Sequence, residues 1–212
     1  MRLIVIGDSN SYGTGMPDCA LGNIAGNPSK LAWPNLVADM LKLDLVNLSI
    51  AGASNSYMLW TLRNTDLRSD DLVVVQWSWT GRDTIFNREL HIVRPNEHNH
   101  INDHYYQAHT LEDMRIRNLM TIEHAILWLE NICKKWLMIA ADQADPGLPS
   151  AQGQLISMSL YPPPDYLLQD FGTDNMHSGI RTQKYWAHSV HTLIMEQAWV
   201  RPDLKQWLPL TI

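Results

Sequence analysis

Two short stretches at opposite ends of the chain carry residue types able to perform acyl-transfer chemistry. Gly7-Asp8-Ser9 follows the apolar run Leu3-Ile4-Val5-Ile6, and Asp174-Asn175-Met176-His177 lies near the carboxyl end. A serine hydroxyl is a weak nucleophile until a base takes its proton, so it needs an imidazole within hydrogen-bond reach. An aspartate three residues before a histidine puts both on one side of a single turn. The carboxylate can then orient the imidazole through one ring nitrogen and leave the other free as base. Ser9 as nucleophile, His177 as base and Asp174 as orienter form one chain order of a serine-hydrolase triad, and triads are recognised by roles rather than order. Taken singly, Ser9 also reads as a turn residue and Asp174 as a cap before the last helix.

These side chains need elements to position them. The run over residues 2–7 reads as a buried strand closed by Gly7. A serine just past such a strand sits at the carboxyl edge of the sheet, where open α/β folds bind ligands. Residues 8–29 are rich in Gly, Pro, Asn and Ser and read as a long loop over that edge. Apolar spacing predicts a helix over 32–42, a strand over 43–48, a helix over 54–66 and a strand over 72–77. Residues 83–110 break the rhythm, with polar residues and five histidines, and read as an insertion capping the site. A long helix over 111–135 and a strand over 136–141 follow. Residues 154–160 read as a fifth strand or an irregular segment, Pro162-Pro163-Pro164 ends any element, and the last helix covers 182–197. The alternation predicts right-handed crossovers and a parallel sheet. The fold class is therefore α/β, a three-layer αβα sandwich with a parallel, flavodoxin-like sheet of about five strands, in one domain over 1–212.

Composition narrows the function classes. A chain of 212 residues with 45% hydrophobic and 18% charged residues fits a globular domain with a sizeable core. A formal net charge of −6 gives no support for nucleic-acid or anionic-membrane binding, both of which favour basic patches. Cys19 and Cys133 are far apart and fit no metal or redox spacing. The first residues fall short of a signal peptide's apolar core, and no run approaches the roughly 18 apolar residues of a membrane helix. A cytoplasmic protein needing no cofactor or metal is the expectation.

Three blocks together support a resemblance. Gly7-Asp8-Ser9, then Asn47-Leu48-Ser49-Ile50-Ala51-Gly52-Ala53-Ser54-Asn55, then Asp174-x-x-His177 resemble the SGNH (GDSL-type) hydrolases, as does the approach through Ala32-Trp33-Pro34-Asn35-Leu36. The resemblance spans residues 2 to about 195, apart from the middle. It implies an oxyanion hole in which the backbone N–H groups of Ser9 and Gly52 act as donors. A third donor in that superfamily is an Asn side chain in a Gly-x-Asn-Asp block after the third strand. That block is absent, and the equivalent place reads Gln76-Trp77-Ser78-Trp79-Thr80-Gly81-Arg82-Asp83. Asn55, one helical turn past Gly52, is the favoured substitute; Asn10, Ser78, Thr80 and Arg82 are the others, with Asp8 beside them as a substrate contact. Asn10 itself stands where a bulky apolar residue commonly follows the serine.

The resemblance implies an esterase or deacylase acting on small acyl esters, including O-acetyl groups on carbohydrate. Two other readings compete with it. One is a catalytically degenerate relative that binds glycan without cutting it. The other is a flavodoxin-like module, because Ser9-Asn10-Ser11-Tyr12-Gly13-Thr14-Gly15 has the hydroxyl- and Gly-rich look of a phosphate cradle. His91, His98, His100, His104 and His109 lack helical metal-ligand spacing, and loops are often histidine-rich without metal. Trp77 and Trp79 share a face if the strand continues, offering either a sugar-stacking surface or core packing.

Overall fold

The structure is a computed structural model describing residues 1–19, 26–86, 90–95, 97–140, 155–159 and 169–196. Five strands, β1 (Arg2–Ile6), β2 (Asp44–Asn47), β3 (Leu72–Trp77), β6 (Lys135–Ala140) and β7 (Leu155–Ser159), form one sheet in the order β2-β1-β3-β6-β7. Every pairing in it is parallel. Between β3 and β6 lie a two-stranded antiparallel hairpin, β4 (Asp83–Phe86) and β5 (Leu90–Val93), and the helix α4 (His100–Ala108). The remaining helices are α1 (Ser9–Tyr12), α2 (Trp33–Leu41), α3 (Asn55–Arg63), α5 (Leu111–Ile132) and α6 (Ile180–Glu196).

Central parallel strands are covered on both faces, so they read as continuous apolar runs, and their side chains alternate between two cores. Leu3 and Val5 of β1, Leu72 and Val74 of β3, and Leu137 and Ile139 of β6 face one way, against Trp33, Val37 and Ala38 of α2 and Trp186, Ala187, Val190 and Ile194 of α6. Ile4, Ile6, Val73, Val75 and Met138 face the other way, against Met58 and Leu62 of α3 and Ile122, Ala125, Ile126 and Leu129 of α5. The result is the three-layer sandwich expected. At the amino edge the sheet is tied by a two-pronged ion pair, Arg2 Nε to Asp71 Oδ1 at 3.0 Å and Arg2 Nη2 to Asp71 Oδ2 at 2.6 Å.

The order β2-β1-β3 means that the chain leaves β1 on one side and returns on the other. The crevice beyond the carboxyl ends of β1 and β3 is therefore the topological switch point. Gly7-Asp8-Ser9 leaves β1 there, and Ser78-Trp79-Thr80 leaves β3 there.

Two expectations need correction. The loop over 8–29 contains the short helix α1, because Asp8 caps it through Asn10 N; its residues 20–25 lie outside the described ones. The insertion over 83–110 holds a hairpin and a helix, α4, capped by Asn99, where no regular elements were read. Of the two readings of Trp77, the structure shows core packing: it is buried beneath the sheet's carboxyl edge. Pro162-Pro163-Pro164 falls outside the described residues. Among the described residues no helix is long and apolar enough to cross a membrane.

Trp186 is buried between α6 and the sheet. Trp186→Ala is expected to cost about 3–5 kcal/mol of stability, seen as a lower urea midpoint at unchanged slope. A loss under about 1 kcal/mol would show that this layer does not carry the core.

Candidate active site

Asp8 is fully buried, and burying a carboxylate is costly unless hydrogen bonds satisfy it. It receives four donors. Asn10 N (3.0 Å) and Gln76 Nε2 (2.7 Å) donate to Oδ1. Ser78 Oγ (3.0 Å) and Arg82 Nη1 (3.4 Å) donate to Oδ2. Gln76 also accepts the Ser11 hydroxyl through Oε1. The ends of β1 and β3 are thereby locked together, and Ser9 is the first residue of α1 on that lock. Asp8, Ser78 and Arg82 thus come together as one network. Asn10 contributes its backbone to it.

The Asp-His segment is built in the loop before α6. Asp174 Oδ2 lies 2.6 Å from His177 Nδ1, and Oδ1 accepts His177 N at 2.9 Å and Met176 N at 3.0 Å. Burial alone would raise the Asp174 carboxyl, but these amides and the imidazole outweigh it and hold it below the usual carboxylate range. The capping of α6 falls to a different residue. Asp170 accepts Arg181 N and Thr182 N, each at 2.9 Å, which leaves Asp174 to the histidine. Nδ1 is engaged, and among the described residues Nε2 of His177 and the Ser9 hydroxyl have no hydrogen-bond partner.

Two contacts bring the segments together. Gln183, fully buried on α6, donates through Nε2 to Asn10 O (3.1 Å) and Ser178 Oγ (2.8 Å), and accepts Trp33 N at 2.6 Å through Oε1. One amide thus bridges the neighbour of Ser9 and the neighbour of His177. Gly15 O accepts Thr173 N at 2.8 Å and Thr173 Oγ1 at 3.0 Å. Gly15 has φ +84, and a Cβ there would lie 2.8 Å from Asp174 Oδ1, so only glycine fits. Sequence reasoning did not single out Gln183. Its signal, a lone glutamine on the apolar face, is legible only once α6 is known to pack inward.

Gly52 has φ +78, and a Cβ on it would lie 2.5 Å from Arg94 Nη2. Arg94, just past β5, was missed because nothing in sequence brings the hairpin to Gly52. The hairpin is tied there by Ser54 Oγ to Thr84 Oγ1 (2.6 Å) and Ser56 Oγ to Asp83 Oδ1 (2.5 Å).

Asn55 does not fit as the third oxyanion donor. Ser78 N donates to its Oδ1 at 2.6 Å, which fixes the amide's orientation. Both hydrogens of Nδ2 then serve Ser78 O (3.1 Å) and Asn118 Oδ1 (2.7 Å). Asn118 of α5 also donates to Thr80 Oγ1 at 3.2 Å. Among the insertion's histidines, His109 Nδ1 pairs with Asp113 at 2.7 Å, His98 lies 3.5 Å from Asp103, and His100 stacks on His104. Among the described residues no three His, Cys, Asp or Glu gather as a metal site.

No protein-family model and no curated protein matches the chain. Solved structures do. A carbohydrate esterase, described as having an active site with divergent catalytic and non-catalytic binding functions, is similar at a TM-score of 0.59 and 14% identity, over 93% of this chain and 69% of that one. The phospholipase A1 of Streptomyces albidoflavus NA297 matches at 0.40 and 13% identity, over 92% and 73% of the two chains. An extracellular lipase of Streptomyces rimosus matches at 0.42 and 11%, over 92% and 74%. At such identities the first likeness speaks for the fold.

Gln183→Met removes the partners of three buried groups and is expected to lower stability by about 1–3 kcal/mol or more; an unchanged urea midpoint would show that the bridge holds nothing. The depressed Asp174 acid stabilises the fold above the unfolded carboxyl value of about 3.9, and that contribution is lost as pH falls through the lower folded value. The stability gap between wild type and Asp174→Asn should therefore narrow below about pH 4. A gap that widened there would contradict the assignment.

Proposed function

We propose that the chain is a serine ester hydrolase of the SGNH type, with Ser9, His177 and Asp174 as its triad. The observation that carries the reading is the Asp174–His177 pair, whose second nitrogen is free and whose loop is bridged by Gln183 to the residue after Ser9. His177 Nε2 takes the Ser9 proton as Oγ bonds to the ester carbonyl carbon. The tetrahedral alkoxide collapses, the C–O bond to the alcohol breaks, and the alcohol leaves with the proton from His177. Water, deprotonated by the same imidazole, then attacks the acyl-enzyme, and collapse releases the carboxylic acid and free Ser9. The backbone N–H groups of Ser9 and Gly52 receive the developing oxyanion. The first amides of a helix have no partner inside it, which suits Ser9 N.

The substrate class proposed is a small acyl ester, including an O-acetyl group on carbohydrate. The likeness in fold to a carbohydrate esterase supports the sugar. The engaged amide of Asn55 favours one second reading, a relative that binds such ligands without turnover.

Hydrolysis of p-nitrophenyl acetate should fall by on the order of 10⁴ or more in both Ser9→Ala and His177→Ala, with similar losses because the residues act as a unit. Equal rates in wild type and Ser9→Ala would overturn the reading.

A further inference from the structure

The triad reading leaves one transition-state charge with only two backbone donors, and the geometry points to Arg94 as the third. We propose that the Arg94 guanidinium, brought in by the inserted hairpin, donates to the oxyanion in place of the absent asparagine. This inference rests on the serine-hydrolase reading.

Three of the alternatives in the crevice are already committed. Asn55 has no free amide hydrogen, and Ser78 Oγ donates to the Asp8 carboxylate. Arg82 is drawn the other way, into Ser78 Oγ at 2.8 Å and the buried Asp8 carboxylate, which offsets its charge. Arg94 is placed differently. Its Nη1 donates outward to the exposed, solvent-screened Glu97. The opposite edge, Nε and Nη2, lies against Gly52, where a Cβ would meet these atoms at 2.6 and 2.5 Å. That edge is the fork by which arginine grips an oxyanion with two parallel bonds. Nε is buried and has no hydrogen-bond partner, which in a folded protein calls for an explanation.

The position is also built. Asn102 of α4, itself buried, donates through Nδ2 to Arg94 O (3.2 Å) and Glu97 O (2.7 Å), clamping the turn that carries the arginine. Beside it, within the insertion, opens a cavity of about 540 Å³ lined by Arg94, His91, Ile92, Glu97 and His100. Gly52 then has a second reason to be glycine. Its φ of +78 disfavours a side chain, and any Cβ would push the guanidinium away.

The test is turnover of ethyl acetate, followed by acid release, in wild type, Ser9→Ala, Arg94→Ala and Arg94→Lys. This ester has no charged group, so a guanidinium can act only on charge that develops during reaction. Arg94→Ala should lose on the order of 10²–10³ in kcat with KM changed only a few-fold. Arg94→Lys should recover part of the loss, and added millimolar guanidinium should accelerate Arg94→Ala. An unchanged kcat, a loss confined to KM, or a folded Arg94→Ala variant that guanidinium does not accelerate would overturn the role of Arg94 while leaving the triad standing. Turnover surviving in Ser9→Ala would instead overturn the serine-hydrolase reading, and this inference with it.

Discussion

A carboxylate buried without exposure must be satisfied on all sides, and Asp8 imposes that demand where β1 and β3 diverge. Its donors come from α1, from β3, and from Ser78 and Arg82 beyond it, so the register of the two central strands and the start of the short helix are fixed by one charge. Ser9 inherits its place from that network. At the opposite end of the sheet Arg2 and Asp71 meet in a comparable pair. The switch in strand order makes the carboxyl side the one with a cleft.

A second demand of the same kind joins the distant end of the chain to this cleft. Gln183 sits on the inner face of α6, where a polar group survives only by meeting partners. It meets them in Asn10, Ser178 and the first turn of α2. The packing of α6 against α2, driven by Trp33, Trp186 and Val190, therefore also sets where the Asp174–His177 loop lies relative to α1. Core stability and site geometry are coupled through one amide.

The sheet was legible in sequence because buried parallel strands are short apolar runs, as in Leu72-Val73-Val74-Val75, and helices of two-sided layers keep a 3.6-residue apolar stripe. The Asp-His spacing was legible because it is local. What sequence hid depends on contacts far apart in the chain. β4 and β5 are only four residues each, so alternation had too few positions to register. Asn55 was favoured from its spacing to Gly52, yet the end of β3 takes its amide, a claim that only the Ser78 contacts reveal. Arg94 lies more than forty positions from Gly52, and the hairpin alone brings them together.

The central claim is that Ser9 is a nucleophile activated by His177. Exposing the purified protein to a fluorophosphonate and mapping the adduct by peptide mass spectrometry tests it most directly, because the reagent phosphonylates activated serines without needing the natural substrate. One adduct per chain on the peptide containing Ser9, formed far more slowly in His177→Ala, is the result expected. A protein left unmodified, or labelled elsewhere with Ser9 intact, would contradict it.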